Sequence, residues 1–198
     1  MSQLICPNCK KIFDDSLGKP NAASKLSQVL ECKVCDAETH STTEYSPGIV
    51  SNDEDVACCA CHPNQVLDDG TLAPDSLDHA YRIGLSVTRV GKVETGEDHV
   101  FNFCTSVFTG EGKGARGKKK AMGIAVVQAK HAREVYYADG VRAFRVYDTA
   151  SKQMDFHADI FATNYFGPLE DLSPEDQGVR LSAELELISK MEYKPNPL

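Results

Sequence analysis

Two cysteine pairs near the start of the chain, Cys6-Pro-Asn-Cys9 and Cys32-Lys-Val-Cys35, are separated by 22 residues. A two-residue spacer lets both thiolates of one turn face the same ion, and a second such turn completes a tetrahedron. This constraint ties residues 6–35 into one closed loop. A redox reading of either pair needs a strand–helix–strand setting, which the flanking sequence lacks. The surroundings agree with a metal. Residues 1–76 hold seven of the eight cysteines, few long apolar runs, and the turn-prone pieces Lys19-Pro20-Asn21, Ser46-Pro47-Gly48 and Asp68-Asp69-Gly70. A segment this poor in apolar surface can make up its stability by binding metal.

On Cys6, Cys9, Cys32 and Cys35, residues 4–37 resemble the zinc-ribbon class of small folds. The resemblance implies one structural zinc and no particular activity. Lys10 and Lys11 lie beside the site to offset its net charge of about −2. A short helix is expected near residues 21–30.

A second cluster, VACCACHPN at 56–64, places Cys58, Cys59, Cys61 and His62 within five positions. Cys58 and Cys61 form a third CxxC, so Cys58, Cys61 and His62 are candidate ligands of a second zinc, with His40 or His79 completing the set. A cross-braced arrangement sharing ions with the first two pairs is the alternative, although the spacing departs from the RING pattern. The plainer reading is small residues packed in a cramped loop. A nucleophilic thiolate would need His79, His99, His131 or His157 as its base. The acidic neighbours Asp53, Glu54 and Asp55 oppose it by raising a thiol pKa. Cys104, alone on an expected strand, reads as core filling.

From residue 80 onward the apolar pattern takes period two, the signature of half-buried strands. Strands are expected at 81–90, 99–108, 134–148 (around the Asp139-Gly140 turn), 154–162 and 181–189. The composition of 181–189 suits a helix nearly as well, and 122–129 fits either. The expected architecture is mostly β, α+β overall. It has a zinc-binding module at 1–76 and an antiparallel β-rich domain, sandwich or barrel, at 77–198. Period two also puts Asp155, His157 and Asp159 on one strand face, able to bind metal or tune an imidazole. The competing reading is the wet face of a sheet. His157-Ala158-Asp159 does not match the H-x-E of nucleic-acid deaminases, and no cysteine follows it.

Charge is segregated along the chain. Residues 1–76 carry 5 basic and 12 acidic side chains (net −7), 113–145 carry 9 and 2 (net +7), and 146–198 carry 4 and 10 (net −6). Residues 110–120 contain Gly112-x-Gly114-x-x-Gly117, but three lysines there would crowd a helix N-terminus and a βαβ setting is missing. Lys113, Arg116, Lys118, Lys119 and Lys120 are instead candidates for contacting phosphate or an acidic partner. No apolar run reaches the ~18–20 residues of a membrane span. The start lacks a secretory leader, which suggests a reducing cytoplasm where cysteines serve metals rather than disulfides. The favoured function is a zinc-stabilised, non-catalytic interaction or assembly protein with a macromolecular partner. Nucleic-acid binding through 113–120, and a metal-dependent enzyme with a second zinc near Cys58, Cys61 and His62, are the alternatives.

Overall fold

The computed structural model describes residues 3–62, 64–108, 120–166 and 172–197. Its centre is one open six-stranded antiparallel sheet, ordered β4-β5-β2-β1-β3-β6. The strands are β1 (Asp55–His62), β2 (Leu85–Arg89), β3 (Lys120–Gln128), β4 (Phe144–Asp148), β5 (His157–Ala162) and β6 (Glu192–Pro195). The helices are α1 (Pro7–Ser16), α2 (Ala22–Leu26), α3 (Glu97–Phe108), α4 (Ala129–Arg133) and α5 (Pro174–Ser189). The fold is therefore α+β as expected, with one open sheet among the described residues in place of the expected sandwich or barrel. β1, from the cysteine-rich stretch, lies in the middle of the sheet between β2 and β3.

Alternation along the strands divides the interior in two. Val56, Cys58 and Ala60 of β1 join Leu85, Val87, Ala125, Val127, Val146, Ala158 and Ile160 in the largest core. Leu77 and Ala80 of a 3-10 segment, Ala129 and Ala132 of α4, and Ala183 and Leu187 of α5 cover that face. Strand register shows what lies opposite. Ala57 pairs with Thr88, Thr88 with His157, and Asp159 with Tyr147, so these residues share the second face. α3 packs there over Ala57, Ile124 and Val126. The N-terminal helices pack there over Tyr147 and Phe161.

Two expected strands are helices. At 97–108 the apolar positions 100, 101, 103, 104, 107 and 108 fit a helical stripe as well as a β-prone run. Glu97 and Asp98 sit in the first turn, where they complement the helix dipole. At 174–189, Ser173 caps the helix by accepting from the Asp176 amide, Pro174 opens it, and Glu175 and Asp176 follow. Ala183 and Leu187, four residues apart, are its buried apolar contacts.

Gly123 of β3 has no room for a side chain. A Cβ there would meet the Lys194 carbonyl oxygen of β6 at 2.1 Å. Gly123→Ala should push β6 off the sheet and lower stability by about 1–3 kcal/mol in urea unfolding.

Arg89, wholly buried at the end of β2, fixes the loop before β1. Its Nε and Nη2 donate to the Glu54 carboxylate at 2.7 Å each, and its Nη1 and Nη2 donate to the Gly48 and Ile49 carbonyls. Burial opposes ionisation of Glu54, but the hydrogen bonds from Arg89 prevail and hold its carboxyl below the usual range. A lowered folded pKa gives stability that is full above the unfolded value of about 4.3 and lost as pH falls through the folded one. The stability gap between wild type and Glu54→Gln should therefore be present at pH 7 and shrink in urea unfolding near pH 3.

Candidate metal centre and its surroundings

Cys6 precedes the first residue of α1 and Pro7 opens the helix, so the first cysteine pair sits at a helix N-terminus. Cys9 and Phe13 lie on the buried side of α1. α2 and the 3-10 segment Ser27–Glu31, which occupy the expected helical stretch, bring the chain back to Cys32 and Cys35. The four Sγ atoms all lie within 4.8 Å of one another. Cys6 and Cys32 are 3.7 Å apart, and Cys32 and Cys35 4.0 Å. Thiolates bound 2.3 Å from a tetrahedral ion are about 3.8 Å apart, so the cage fits one zinc.

Backbone amides support the sulfurs. Cys6 N donates to Cys35 Sγ at 3.3 Å and Val34 N to Cys32 Sγ at 3.4 Å. Amides of Cys35 and Val34 pull the Cys32 thiol down to about 6, whereas burial and the neighbouring sulfurs push Cys9 up. Crowding four sulfurs without a cation is unfavourable, and a bound zinc would remove that conflict by taking all four as thiolates.

The cluster rests on the sheet. Ile5, Phe13, Leu26 and Val29 pack with Tyr147 and Phe161, and Phe13 meets Tyr147 edge-on at 5.3 Å. Just beyond Cys35, Glu38 enters the interface only 8% exposed. It accepts from Arg133 Nε at 3.1 Å, Arg142 Nη1 at 2.8 Å, Arg145 Nη1 at 2.9 Å and the Val146 amide at 3.1 Å. Three arginines of the basic stretch thus point inward to one carboxylate. Sequence reading missed Glu38 because nothing local distinguishes it. The excess of arginine over acid at 133–145 was the available signal.

The second cysteine cluster has a different fate. Cys58 and Cys59 face opposite sides of β1, because neighbouring strand residues alternate. Cys59 bonds Cys104 of α3 in a disulfide, which corrects the expectation that Cys104 only fills the core. Cys58 is buried in the main core, and its thiol is pushed up to about 12 by that burial, which works against a nucleophilic role. Among the described residues, Cys58 and Cys61 join no group of three or more His, Cys, Asp or Glu placed to share an ion. His62 closes β1 opposite Lys120, and its side chain lies outside the described residues. His40 hydrogen-bonds the Asp36 carbonyl at the surface. The Cys59–Cys104 bond closes a span of 45 residues, which chain entropy values at about 4 kcal/mol. Cys104→Ser should lower stability by up to that amount under oxidising conditions and change little in excess dithiothreitol.

The expected Asp155, His157, Asp159 face is only partly assembled. Asp155 is exposed in the turn before β5, outside the strand alternation. His157 and Asp159 do share a face, but it is not the wet surface of a sheet, because the N-terminal module and α3 cover its two ends. Asp159 is buried, and that burial raises its carboxyl pKa against the pull of His157 and Thr149. Thr149 Oγ1 lies 2.9 Å from His157 Nδ1 and donates to Asp159 Oδ2 at 2.7 Å. On the other side of the ring, Ser86 Oγ lies 2.5 Å from His157 Nε2.

Of the candidate phosphate contacts, Lys120 is exposed at the start of β3, and Lys113, Arg116, Lys118 and Lys119 lie outside the described residues. Among the described residues, no helix is long and apolar enough to cross a membrane. No family model, curated protein or solved structure matches the chain.

Proposed function

We propose that the chain is a zinc-stabilised interaction or assembly protein whose N-terminal module is held by one structural zinc at Cys6, Cys9, Cys32 and Cys35. The observation that carries this reading is the four-sulfur cage within 4.8 Å. Four protein ligands fill a tetrahedron and leave no position for water or substrate, so the metal serves the fold and not a reaction. Zinc binding would shape a surface around the second cysteine pair. Val34, between its two cysteines, is 80% exposed, and Leu4 and Tyr45, which share a groove with Pro7 and Thr42, are about half exposed. Exposed apolar side chains on an acidic module suit a macromolecular protein partner better than a nucleic acid. With Arg133, Arg142 and Arg145 drawn onto Glu38, the basic stretch has less charge to offer a phosphate backbone.

Cobalt substitution tests the closed site. The Co(II) protein should show a tetrahedral thiolate spectrum that added azide leaves unchanged. An azide-dependent shift would reveal an open position and favour the metal-dependent enzyme instead.

A further inference from the structure

We propose that Ser86 is a nucleophile, with His157 as its general base, in a cleft that accepts carboxylic esters of small apolar acids. The cleft lies on the second face of the sheet, beside α3, and encloses about 190 Å³. Its walls include Val100, Phe103 and Val107 of α3 and Ile83, Met154 and Phe156 from loops. Ser86 and His157 also line it. His99 of α3 stacks edge-on against Phe156 at 4.8 Å and ties the helix to the opposite wall.

The polar chain running back from this cleft has one consistent set of donors. Ser86 O–H donates to His157 Nε2, which places the ring proton on Nδ1. Nδ1–H then donates to Thr149 Oγ1, and Thr149 O–H donates to Asp159 Oδ2. Asp159 Oδ2 is 3.7 Å from Nδ1, so the hydroxyl links the ring to the carboxyl. The register explains the assembly: Ser86 lies directly across from Asp159 and Thr88 from His157, with Thr149 just beyond the end of β4. Exposure falls along the chain as nucleophilic catalysis requires. Ser86 is exposed, the His157 side chain is 14% exposed and that of Asp159 is 10% exposed. A hydroxyl, a base that can take its proton, and a group that orients the base together define an activated nucleophile.

The reaction balances with water as the second substrate. Ser86 Oγ bonds to the acyl carbon while its proton passes to His157 Nε2, and the carbonyl π electrons move to oxygen. When the carbonyl re-forms, the C–O bond to the alcohol breaks and the alkoxide takes the proton from Nε2. Water then attacks the acyl-Ser86 ester and gives a proton to Nε2. The bond to Oγ breaks, Ser86 recovers the proton, and the acid leaves. Thr149 and Asp159 touch no reacting atom and act as positioning residues.

The test uses the full chain with a short-alkyl fluorophosphonate and with p-nitrophenyl butyrate. The expected result is one phosphonyl group on Ser86, mapped by mass spectrometry, and ester turnover that Ser86→Ala lowers by about 10³-fold or more. His157→Ala should also abolish labelling. Ser86 is exposed, so Ser86→Ala should keep the wild-type circular dichroism, which separates chemistry from folding. Thr149→Val should label at least about tenfold more slowly, and Thr149→Ser should restore the rate, which a purely steric role would not predict. Wild-type protein left unlabelled at Ser86, or labelled equally fast in His157→Ala, would overturn the proposal.

Discussion

On the proposed single-zinc reading, treatment with a chelator should unfold the N-terminal module while the central strands of the sheet stay protected. The expectation follows from what holds residues 5–37 in place. Their own core is small, formed by Ile5, Cys9, Phe13, Ala22, Ala23, Leu26, Val29 and Ala37 against two sheet residues. A core of that size falls short of the entropy of ordering the chain, which metal binding offsets at about 10–16 kcal/mol in zinc-finger peptides. Without the ion, four sulfurs are left crowded, and the loop from Cys6 to Cys35 loses its closure. Hydrogen exchange read segment by segment should show amides of α1 and α2 exchanging freely after chelation. Amides of β1, β2 and β5, which lie within the sheet, should exchange much as before. Exchange at α1 that is unchanged by chelation would mean the cysteines pack without needing a metal.

Glu38→Ala carries the second large effect, a loss of about 3–5 kcal/mol in urea unfolding. Glu38 offers two oxygens to three guanidinium groups and one backbone amide; its own side chain and that of Arg133 are largely shielded from water, whereas Arg142 and Arg145 are partly exposed. Removing it leaves the Val146 amide unpaired and three positive charges close together, which costs more than the lost attraction alone. Arg133 keeps other partners, the Val50 and Val146 carbonyls and Asn52, so the damage should centre on Arg142 and Arg145. Glu38→Gln should fall between, because it keeps the shape and one acceptor oxygen. A loss under 1 kcal/mol for Glu38→Ala would show that the interface rests on its apolar contacts.

The parts of the fold legible in the sequence were those specified locally. The CxxC spacing of Cys6, Cys9, Cys32 and Cys35 needs only two turns to be read, and the structure brings those four together. β2 and β5 showed their alternation, and Asp139-Gly140 marks the turn expected there, with Tyr136 and Arg142 bridged around it. The failures came where one pattern serves two structures. HVFNFCTSVF alternates and also keeps a helical stripe, and burial of Val100 and Cys104 against β1 and β3 decided for the helix. The start of α5 was spelled out by Ser173-Pro174-Glu175-Asp176, a cap signal outweighed by the alternation of LSAELELIS. DVACCACH, expected to lie in a loop, is instead the strand β1, with Cys58 and Cys59 on opposite faces. The Cys59–Cys104 bond, the Glu38 cluster and the Ser86–His157–Thr149–Asp159 chain join residues 45 to 108 positions apart or sit across strand pairs. Such contacts are set by topology, which local patterns do not encode.

Zinc counted per chain by elemental analysis tests the central claim most directly, in wild type, Cys9→Ser and Cys58→Ser/Cys61→Ser proteins. One zinc in wild type, lost in Cys9→Ser and kept in the double variant, is the result predicted by a single cage at Cys6, Cys9, Cys32 and Cys35. No zinc in wild type, or one that survives Cys9→Ser and disappears with Cys58 and Cys61, would contradict it.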